Sequence, residues 1–234
     1  MKLADLIEEY LSVGKITFAR KTALKDSKLS VAAFNKGIAR LQKKIRVIQP
    51  KRGFFVIVKP EDRKPGGPPP LYFINQLMEH LGQPYYIGAL SAAELHGVSP
   101  QSPQVLQVVT NYPVREVTEG RAHVCFITNR KIKHAPVEIM KTPAGYVKVS
   151  TSEAAAVDSF FYKNHAGGLD SAASILLALA KLGKIDSAKL FKAVVKMHDI
   201  ATVQRIGFVL DKFGFSKITS PIKKWIQGQK IFVV

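Results

Sequence analysis

Two ionisable side chains near the middle of the chain, Glu94 and His96, lie in the stretch YYIGALSAAELHGVSP at residues 85–100. A carboxylate and an imidazole that share a proton can carry out general acid–base catalysis. The surrounding pattern predicts a short helix over Ala89–His96 that is ended by Gly97. Two positions along a helix correspond to a rotation of about 200°, so the two side chains point away from one another. The stretch is therefore interpreted as a packing element whose small residues admit a close neighbour.

A second pair, Glu138 and Lys141, is loosely similar to the acidic-plus-lysine cluster of metal-dependent nucleases. Such enzymes need these groups on one face, around magnesium. On a predicted strand, positions three apart face opposite sides. The six histidines are scattered singly, and the sequence contains no P-loop, GxSxG or GxGxxG motif. We therefore expect no catalytic residues, no metal site, no cofactor and no enzymatic activity.

The charge balance is the strongest global signal. The chain of 234 residues has a formal net charge of +18 and an apolar fraction of 47%, which is enough to bury a sizeable core. Residues 1–64 contain 16 Lys and Arg against 6 Asp and Glu, so a net charge of +10 is concentrated there. Like charges at this density repel one another unless a polyanion offsets them. This points to nucleic acid, ahead of an acidic membrane surface.

The first 64 residues predict three helices followed by a hairpin. After a first amphipathic helix, ITFARKTALKDS (16–27) predicts a second helix with Thr17 as its N-cap. VAAFNKGIARLQKK (31–44) predicts a third helix, capped by Ser30. The runs IRVIQ and FFVIVK, joined by a PKRG turn, predict two strands. This order is typical of a winged helix-turn-helix, and residues 1–64 are predicted to be a DNA-binding domain.

The candidate DNA contacts follow from that arrangement. With Phe34, Ile38 and Leu41 turned inward, the other side of the third helix presents basic residues and small ones, including Gly37, that let DNA approach. The start of the second helix and the tip of the wing add further contacts. Asn35 flanks the basic face, where it could read adenine. The predicted DNA-binding residues are Thr17, Arg20, Lys21, Ser30, Asn35, Lys36, Arg40, Lys44, Lys51 and Arg52.

The stretch KPEDRKPGGPPP at residues 59–70 has no apolar periodicity and predicts a semi-rigid, extended linker. Residues 71–234 are predicted to be the second domain. Two helices, at 71–82 and 89–96, precede five strand-like runs, and the pattern is helical from Ser152 onward. The runs lie at 105–110, 113–118, 123–128, 136–141 and 146–151. The predicted fold class is α+β: an N-terminal winged helix-turn-helix and a C-terminal α+β domain with a small antiparallel sheet followed by helices.

The remaining sequence features indicate where in the cell the protein is expected to act. The single cysteine, Cys125, cannot form an internal disulfide. The first ten residues are amphipathic and acidic, where a signal peptide would be apolar. The longest near-apolar run, Ala172–Ala180, has about half the length of a membrane span. We expect a cytoplasmic protein that does not contact a membrane.

After the predicted winged helix, the chain contains YYIGALSAAELHG with a following proline-rich turn, then VLQVVT and later VKVSTSEAAAVDSFF. This order of features, and the first and last of these motifs in particular, resemble the AbiEi antitoxin family of two-component toxin–antitoxin systems. The resemblance covers nearly the whole chain, although Ala155 and Ala156 stand where relatives often have arginine and threonine. It implies a nucleotidyltransferase-like toxin as operon partner. It also implies autorepression at inverted repeats in the promoter and antitoxin activity in the C-terminal domain.

Three hypotheses about function are compatible with the sequence. The first is a DNA-binding transcriptional repressor that is also an antitoxin, with double-stranded DNA and a toxin as partners. The second is a DNA-processing nuclease that uses the winged helix for delivery. The third is a protein-interaction module that grips the toxin through its C-terminal helices.

Overall fold

The computed structural model describes residues 2–98, 104–197 and 200–228. The chain forms two compact units, each built from more than one segment. The first unit contains the residues up to Pro84 together with Pro113–Phe126 and Lys141–Val147. The second contains Tyr85–Tyr112, Ile127–Met140 and the residues from Lys148 onward. This division differs from the predicted domains 1–64 and 71–234, because residues 71–84 and two later segments belong to the first unit.

The helices and strands of the described residues follow a mixed order along the chain. They are α1 (Leu3–Ser12), β1 (Thr17–Ala19), α2 (Arg20–Ser27), α3 (Val31–Lys43), β2 (Val47–Lys51), β3 (Phe54–Ile57), α4 (Pro60–Arg63), α5 (Ile74–Leu81), β4 (Tyr85–Ile87), α6 (Ala89–Leu95), β5 (Leu106–Thr110), β6 (Val117–Glu119), β7 (Ala122–Thr128), β8 (Val137–Thr142), β9 (Gly145–Ser150), α7 (Ser152–Phe161), α8 (Leu169–Lys181), α9 (Ser187–Met197), α10 (Ile200–Lys212) and α11 (Ser216–Gln227).

The first unit builds its core between helices and a three-stranded sheet. The strands lie in the order β1-β3-β2, and both neighbouring pairs are antiparallel. Phe18 of β1 stacks on Phe55 of β3, and Phe34 of α3 meets the Phe55 ring edge-on, with ring centroids 6.4 Å apart. These aromatic side chains are buried together with the apolar stripe of α1. The predicted third helix and the hairpin are confirmed as α3 and β2–β3.

The second helix is shorter than the sequence predicts. α2 begins at Arg20, and the three residues before it form β1, so the prediction that Thr17 caps the helix was wrong. Thr17 lies opposite Val56 of β3 and is only 9% exposed. A β-branched residue next to a phenylalanine suits a pleated, half-buried surface, and the available partner strand decides the conformation.

Residues 59–70, predicted as an extended linker, are instead packed within the first unit. Pro60 begins the one-turn helix α4. Gly66 lies so close to Gly120 that a Cβ added to Gly120 would be 2.2 Å from the Gly66 carbonyl oxygen. A Cβ added to Gly67 would be 2.9 Å from Cδ1 of Ile48. In a free linker, glycines increase flexibility. In this segment they allow close packing instead, and composition alone cannot distinguish the two roles.

The larger sheet has six strands in the order β6-β7-β5-β4-β9-β8. The runs at 105–110, 123–128, 136–141 and 146–151 are confirmed as strands, whereas the run at 113–118 is a strand only from Val117. β4 pairs antiparallel with β5 and parallel with β9, where Ile87 lies opposite Val149. The sheet is therefore mixed, because one parallel pair accompanies the antiparallel pairs that the sequence predicted. The long stretch of chain between β4 and β9 provides the crossover that a parallel pair requires.

The C-terminal helices supply the core of the second unit. Apolar side chains at helical spacing on α8, including Ile175, Leu176 and Leu179, are fully buried against Val203 and Ile206 of α10 and the rest of one cluster. Thr151 caps α7, because its hydroxyl accepts a hydrogen bond from the Ala154 N–H at 3.3 Å. The helical pattern predicted from Ser152 is thus present in the described residues, and the α+β class is confirmed.

Candidate nucleic-acid interface

α2, α3 and the two residues that cap α3 carry seven of the ten side chains that were predicted to contact DNA. The turn between them contains Lys28 in the left-handed region, at φ +55°, where the chain reverses. The Ser30 hydroxyl then accepts a hydrogen bond from the Ala33 N–H at 3.2 Å and caps α3, as predicted. Because α3 packs inward through its buried side chains Phe34, Ile38 and Leu41, its opposite side faces solvent.

Seven of the ten predicted DNA-binding residues are exposed, and three are not. The exposed ones are Lys21, Ser30, Asn35, Lys36, Arg40, Lys44 and Arg52. Arg20 and Lys51 are half-buried, and Thr17 is buried in β1. Lys43 is also exposed and lies seven positions after Lys36, on the same side of α3, so helical spacing could have added it to the set. The exposed cations Lys21, Lys36, Arg40, Lys43, Lys44 and Arg52 are called the basic set below.

Gly37 does not lie on the solvent side of α3, and that prediction was wrong. A Cβ added to Gly37 would be 2.9 Å from Cδ2 of Leu3 in α1. The missing side chain therefore lets α1 approach α3. Gly37 follows Phe34 by three positions and precedes Leu41 by four, so the helical period already places it with the inward residues.

Arg20 connects α2 to α3. Its Nη2 donates a hydrogen bond to Oδ1 of Asn35 at 2.5 Å, and its guanidinium lies over the buried Phe34 ring, 5.3 Å from the centroid. A cation over an aromatic face is attracted by the ring quadrupole. Both contacts restrict the Arg20 side chain, so the Asn35 amide is held in one orientation at the side of α3.

Lys51, in β2, is held by the segment that precedes β6. Its Nζ donates hydrogen bonds to the carbonyl oxygens of Arg115 and Glu116, and it lies 5.8 Å from the centroid of the Phe126 ring. Burial and, to a smaller extent, the charge of Arg115 lower the pKa of Lys51. The ammonium of the half-buried Lys51 is therefore engaged by two protein carbonyl groups, whereas the Arg52 side chain in the turn beside it is exposed.

In the second unit, the two motifs that suggested a family contact one another. The Tyr86 hydroxyl donates to Oδ1 of Asp158 at 3.3 Å, which links β4 to α7. A Cβ added to Gly88 would be 2.9 Å from Tyr86, 2.9 Å from Val109 and 3.0 Å from Oδ2 of Asp158. Only glycine fits at this position. The first motif is thus a packing element, as interpreted from the sequence.

His96 is a structural residue between the same two motifs. Its Nε2 lies 2.8 Å from the Ser150 carbonyl oxygen, so this nitrogen carries a proton and donates it. Its Nδ1 lies 3.3 Å from the Ser152 hydroxyl and 4.0 Å from Oε1 of Glu138. Glu94 is exposed while His96 is buried, as the helical rotation predicts. Both ring nitrogens of His96 are therefore used to join secondary-structure elements.

Asp158 is an acid with no exposed surface. Burial raises its pKa to about 8, and the Tyr86 hydroxyl and the nearby Ala89 N–H oppose this shift only in part. Its Oδ2 has no hydrogen-bond partner within the described ranges. The pKa values of Tyr86 and Tyr162 are also raised by burial. Asp158 is therefore protonated at neutral pH. Ionisation of this buried acid at higher pH is expected to destabilise the packing of β4 against α7.

Replacing Gly88 by alanine is expected to lower the free energy of unfolding by roughly 2–3 kcal/mol, because the new methyl group meets three fixed atoms at once. Gly207 in α10 offers a matched control, since a Cβ there would be 3.6 Å from Ile222, an ordinary contact. Gly207→Ala is expected to be neutral or stabilising by up to about 1 kcal/mol. Urea unfolding followed by circular dichroism measures both; equal effects would contradict the assigned packing.

The described residues offer no group of three or more His, Cys, Asp or Glu side chains that could hold a metal ion. None of the described helices combines the length and apolar character needed to cross a membrane.

The geometry defines an α+β protein of two units. One unit has a row of exposed cations on α3, and in the other the two motifs pack against one another. A family model for the AbiEi antitoxin C-terminal domain matches residues 86–212, which is more than half of the chain. The chain therefore belongs to the AbiEi antitoxin family, as the motifs predicted. Membership gives it an antitoxin role in a toxin–antitoxin system.

Among solved structures, the chain is similar to the crystal structure of the RV2827C protein from Mycobacterium tuberculosis. The TM-score is 0.67 at 14% identity, and the similarity covers 100% of this chain and 84% of that one. At this level of identity the similarity shows the fold alone. No curated protein matches the chain.

Proposed function

We propose that this antitoxin is a DNA-binding transcriptional repressor of its own operon and opposes a nucleotidyltransferase-like toxin. In this proposal the first unit is a winged helix-turn-helix, with α2 and α3 as the helix pair and β2–β3 as the wing. The observation that carries it is the row of exposed cations on α3, next to a capped N-terminus and small exposed residues such as Ala32 and Ala39.

Repression requires occupancy of the promoter and no chemistry. α3 lies in the major groove, where Asn35, Lys36 and Arg40 reach base edges or phosphates. Ser30 remains near a phosphate, Lys21 contacts the backbone from α2, and Arg52 supplies the wing contact. Lys51 positions the wing through its bonds to Arg115 and Glu116 and leaves the contact to Arg52. The protein acts in the cytoplasm without a cofactor and without enzymatic activity.

The salt dependence of DNA binding tests this proposal. Each phosphate that a Lys or Arg neutralises releases counterions, and log K falls by about 0.9 per contact for each unit of log salt concentration. Because the basic set offers six exposed cations at about 0.9 each, we expect a slope between about −4 and −5 with the DNA upstream of the gene. Fluorescence anisotropy at several salt concentrations gives the slope. A slope near zero, or no binding at low salt, would contradict the proposal.

The antitoxin part of the proposal concerns the neighbouring gene product. Co-expression with a nucleotidyltransferase-like toxin from the same operon is expected to restore growth that the toxin alone arrests. Co-purification of the two proteins then separates direct contact through the second unit from an indirect effect. Growth arrest that persists despite equal expression of both proteins would show that this toxin is not the target.

A nuclease remains the rival from another functional class, since a winged helix could deliver such an enzyme to DNA. Incubation of the purified chain with supercoiled plasmid and Mg²⁺ or Mn²⁺ separates the two. We expect the plasmid to stay supercoiled, because no metal-binding group of acidic and histidine side chains is present in the described part of the chain. Nicking of the plasmid that disappears when a chelator removes the metal ion would favour the nuclease.

A further inference from the structure

Arg20 and Asn35 form a preorganised pair on the helices that are proposed to bind DNA. The hydrogen bond from Arg20 Nη2 to Asn35 Oδ1 is 2.5 Å long, and the Arg20 guanidinium is steadied by the Phe34 ring beneath it. Phe34 is itself fully buried. The pair therefore rests on the core of the first unit, and its geometry does not depend on DNA.

The orientation of the Asn35 amide follows from the chemistry of its partner. A guanidinium has only donors, so the atom that faces Arg20 must be the amide oxygen. The Asn35 amide nitrogen consequently points away from Arg20, from a side chain that is exposed. No protein acceptor for this nitrogen is present in the part of the chain that the structure describes. What the pair offers outward is a set of N–H donors: the remaining guanidinium N–H groups of Arg20 and the Asn35 amide.

We propose that Arg20 and Asn35 together read the major-groove edge of a guanine. This inference rests on the proposed DNA-binding function. Guanine presents two neighbouring acceptors, N7 and O6, in the major groove, whereas adenine presents one acceptor and one donor. A surface made only of hydrogen-bond donors matches the two acceptors of guanine. At adenine, one of these donors would face the N6 amino group, which is also a donor.

The inference reverses the expectation that Asn35 reads adenine. An asparagine that recognises adenine donates to N7 and accepts from the N6 amino group with its own oxygen. In this protein that oxygen already accepts from Arg20. The contact between α2 and α3 thus changes the base preference of Asn35, and Arg20 becomes a specificity-determining residue together with it.

Selection of bound sequences from random double-stranded DNA, with the full chain, tests the proposal. The wild type is expected to enrich a site in which one guanine is preferred over the other bases by roughly 10-fold or more. Asn35→Asp keeps a partner for Arg20 but replaces the outward donor with an acceptor. In this variant the guanine preference at that one position is expected to disappear in favour of cytosine or adenine, whose amino groups donate. The exposed Lys21 of α2 provides the control, since Lys21→Ala should weaken all sequences alike and keep the preference.

A modified duplex gives a second, independent readout. Substituting 7-deazaguanine at the selected position removes the N7 acceptor, and we expect the wild type to lose about 5- to 10-fold in affinity. In the proposed contact the Asn35 amide donates to N7 and the Arg20 guanidinium donates to O6. Asn35→Ala should therefore lose affinity for the normal duplex but show no further loss with the modified one. Retention of the guanine preference by Asn35→Asp, or enrichment of adenine by the wild type, would overturn the inference while DNA binding stands. A uniform loss in Asn35→Asp without a changed preference would show that the pair contacts only phosphate, which also overturns it. Failure of the wild type to select any sequence would remove the proposed function and this inference together.

Discussion

Replacing Arg40 and Arg52 together by glutamate is expected to lower the affinity of the full chain for its upstream DNA by at least about 100-fold. Arg40 is exposed on α3 and Arg52 is exposed in the turn between β2 and β3, and neither forms a side-chain ion pair within the described residues. Each substitution removes a cation that is proposed to neutralise a phosphate and places an anion at the same position. The loss should therefore exceed what two alanine substitutions cause. A gel-shift titration at fixed salt measures it.

A matched double substitution separates local contacts from overall charge. Lys181 and Lys192 of the second unit are also exposed, and Lys181→Glu with Lys192→Glu changes the net charge by the same amount. We expect this control to weaken binding by less than about 10-fold. Because all four positions are exposed, each double variant should unfold within about 1 kcal/mol of the wild type. Equal losses of affinity in the two variants would show that binding follows net charge and does not depend on α3 and the β2–β3 turn.

The stability of the chain is expected to fall as pH rises from about 5 to about 8, and Asp158 is the cause. In the folded protein this acid keeps its proton up to a pKa of about 8, whereas in the unfolded chain it ionises near its ordinary value of 3.8. Between these values the native state binds the extra proton, so stability declines by roughly 1.4 kcal/mol per pH unit. Below the unfolded value both states are protonated and the effect vanishes. Above the folded value the full destabilisation is present.

Asp158→Asn isolates this contribution, because the amide keeps an oxygen for the Tyr86 hydroxyl and does not ionise. Relative to the wild type, the variant should gain roughly 4 kcal/mol between about pH 5 and pH 8. The two tyrosines of the cluster stay neutral throughout, since burial raises the pKa of both. Glu94→Gln, at an exposed acid of α6, is the control and should leave the pH profile unchanged. Parallel urea-unfolding profiles for wild type and Asp158→Asn would refute the assignment.

Periodicity predicted the parts of the first unit that local sequence determines. The apolar spacing of Phe34, Ile38 and Leu41 identified α3 and its exposed side, and Ser30 was recognisable as its cap. β1 was missed because three residues between two helical patterns are too few to show alternation, and only the pairing of Thr17 with Val56 makes them a strand. A local pattern cannot contain information about a partner that lies far along the chain.

The absence of information about distant partners also explains why the segment 59–70 was predicted as a linker. Its prolines and glycines have the composition of a linker, but Gly66 meets Gly120 and Gly67 meets Ile48. These approaches join positions that are widely separated in sequence. The domain boundary that composition suggested is consequently displaced, and residues as far as Pro84 belong to the first unit.

Among the candidate DNA-binding residues, some properties could be predicted from the sequence and others could not. Exposure of Lys36, Arg40 and Arg52 follows from helical and hairpin geometry and could be predicted. The hydrogen bond that links Arg20 to Asn35 could not, because it depends on how α2 and α3 pack. Nor could the sequence reveal that Lys51 is held by the carbonyl oxygens of Arg115 and Glu116. Contacts between elements change the chemistry that a side chain presents.

The motifs of the second unit illustrate how a family fingerprint can report packing. Gly88 and Asp158 lie far apart in the chain but close together in the fold, since a Cβ on the glycine would be 3.0 Å from the carboxylate. The opposite environments of Glu94 and His96, one exposed and one buried, follow from the helical rotation and could be predicted. The actual partners of His96, at Ser150 and Ser152, required the structure.

The central claim is that this antitoxin binds its own promoter through the first unit, and competition between DNA duplexes tests it most directly. The full chain, bound to a labelled duplex from immediately upstream of its gene, is challenged with unlabelled duplexes at physiological salt. One competitor has the same sequence and the other has the same composition in scrambled order. We expect the native sequence to compete at least about 1,000-fold better, the lower range for specific recognition. Equal competition by the two duplexes would contradict the claim.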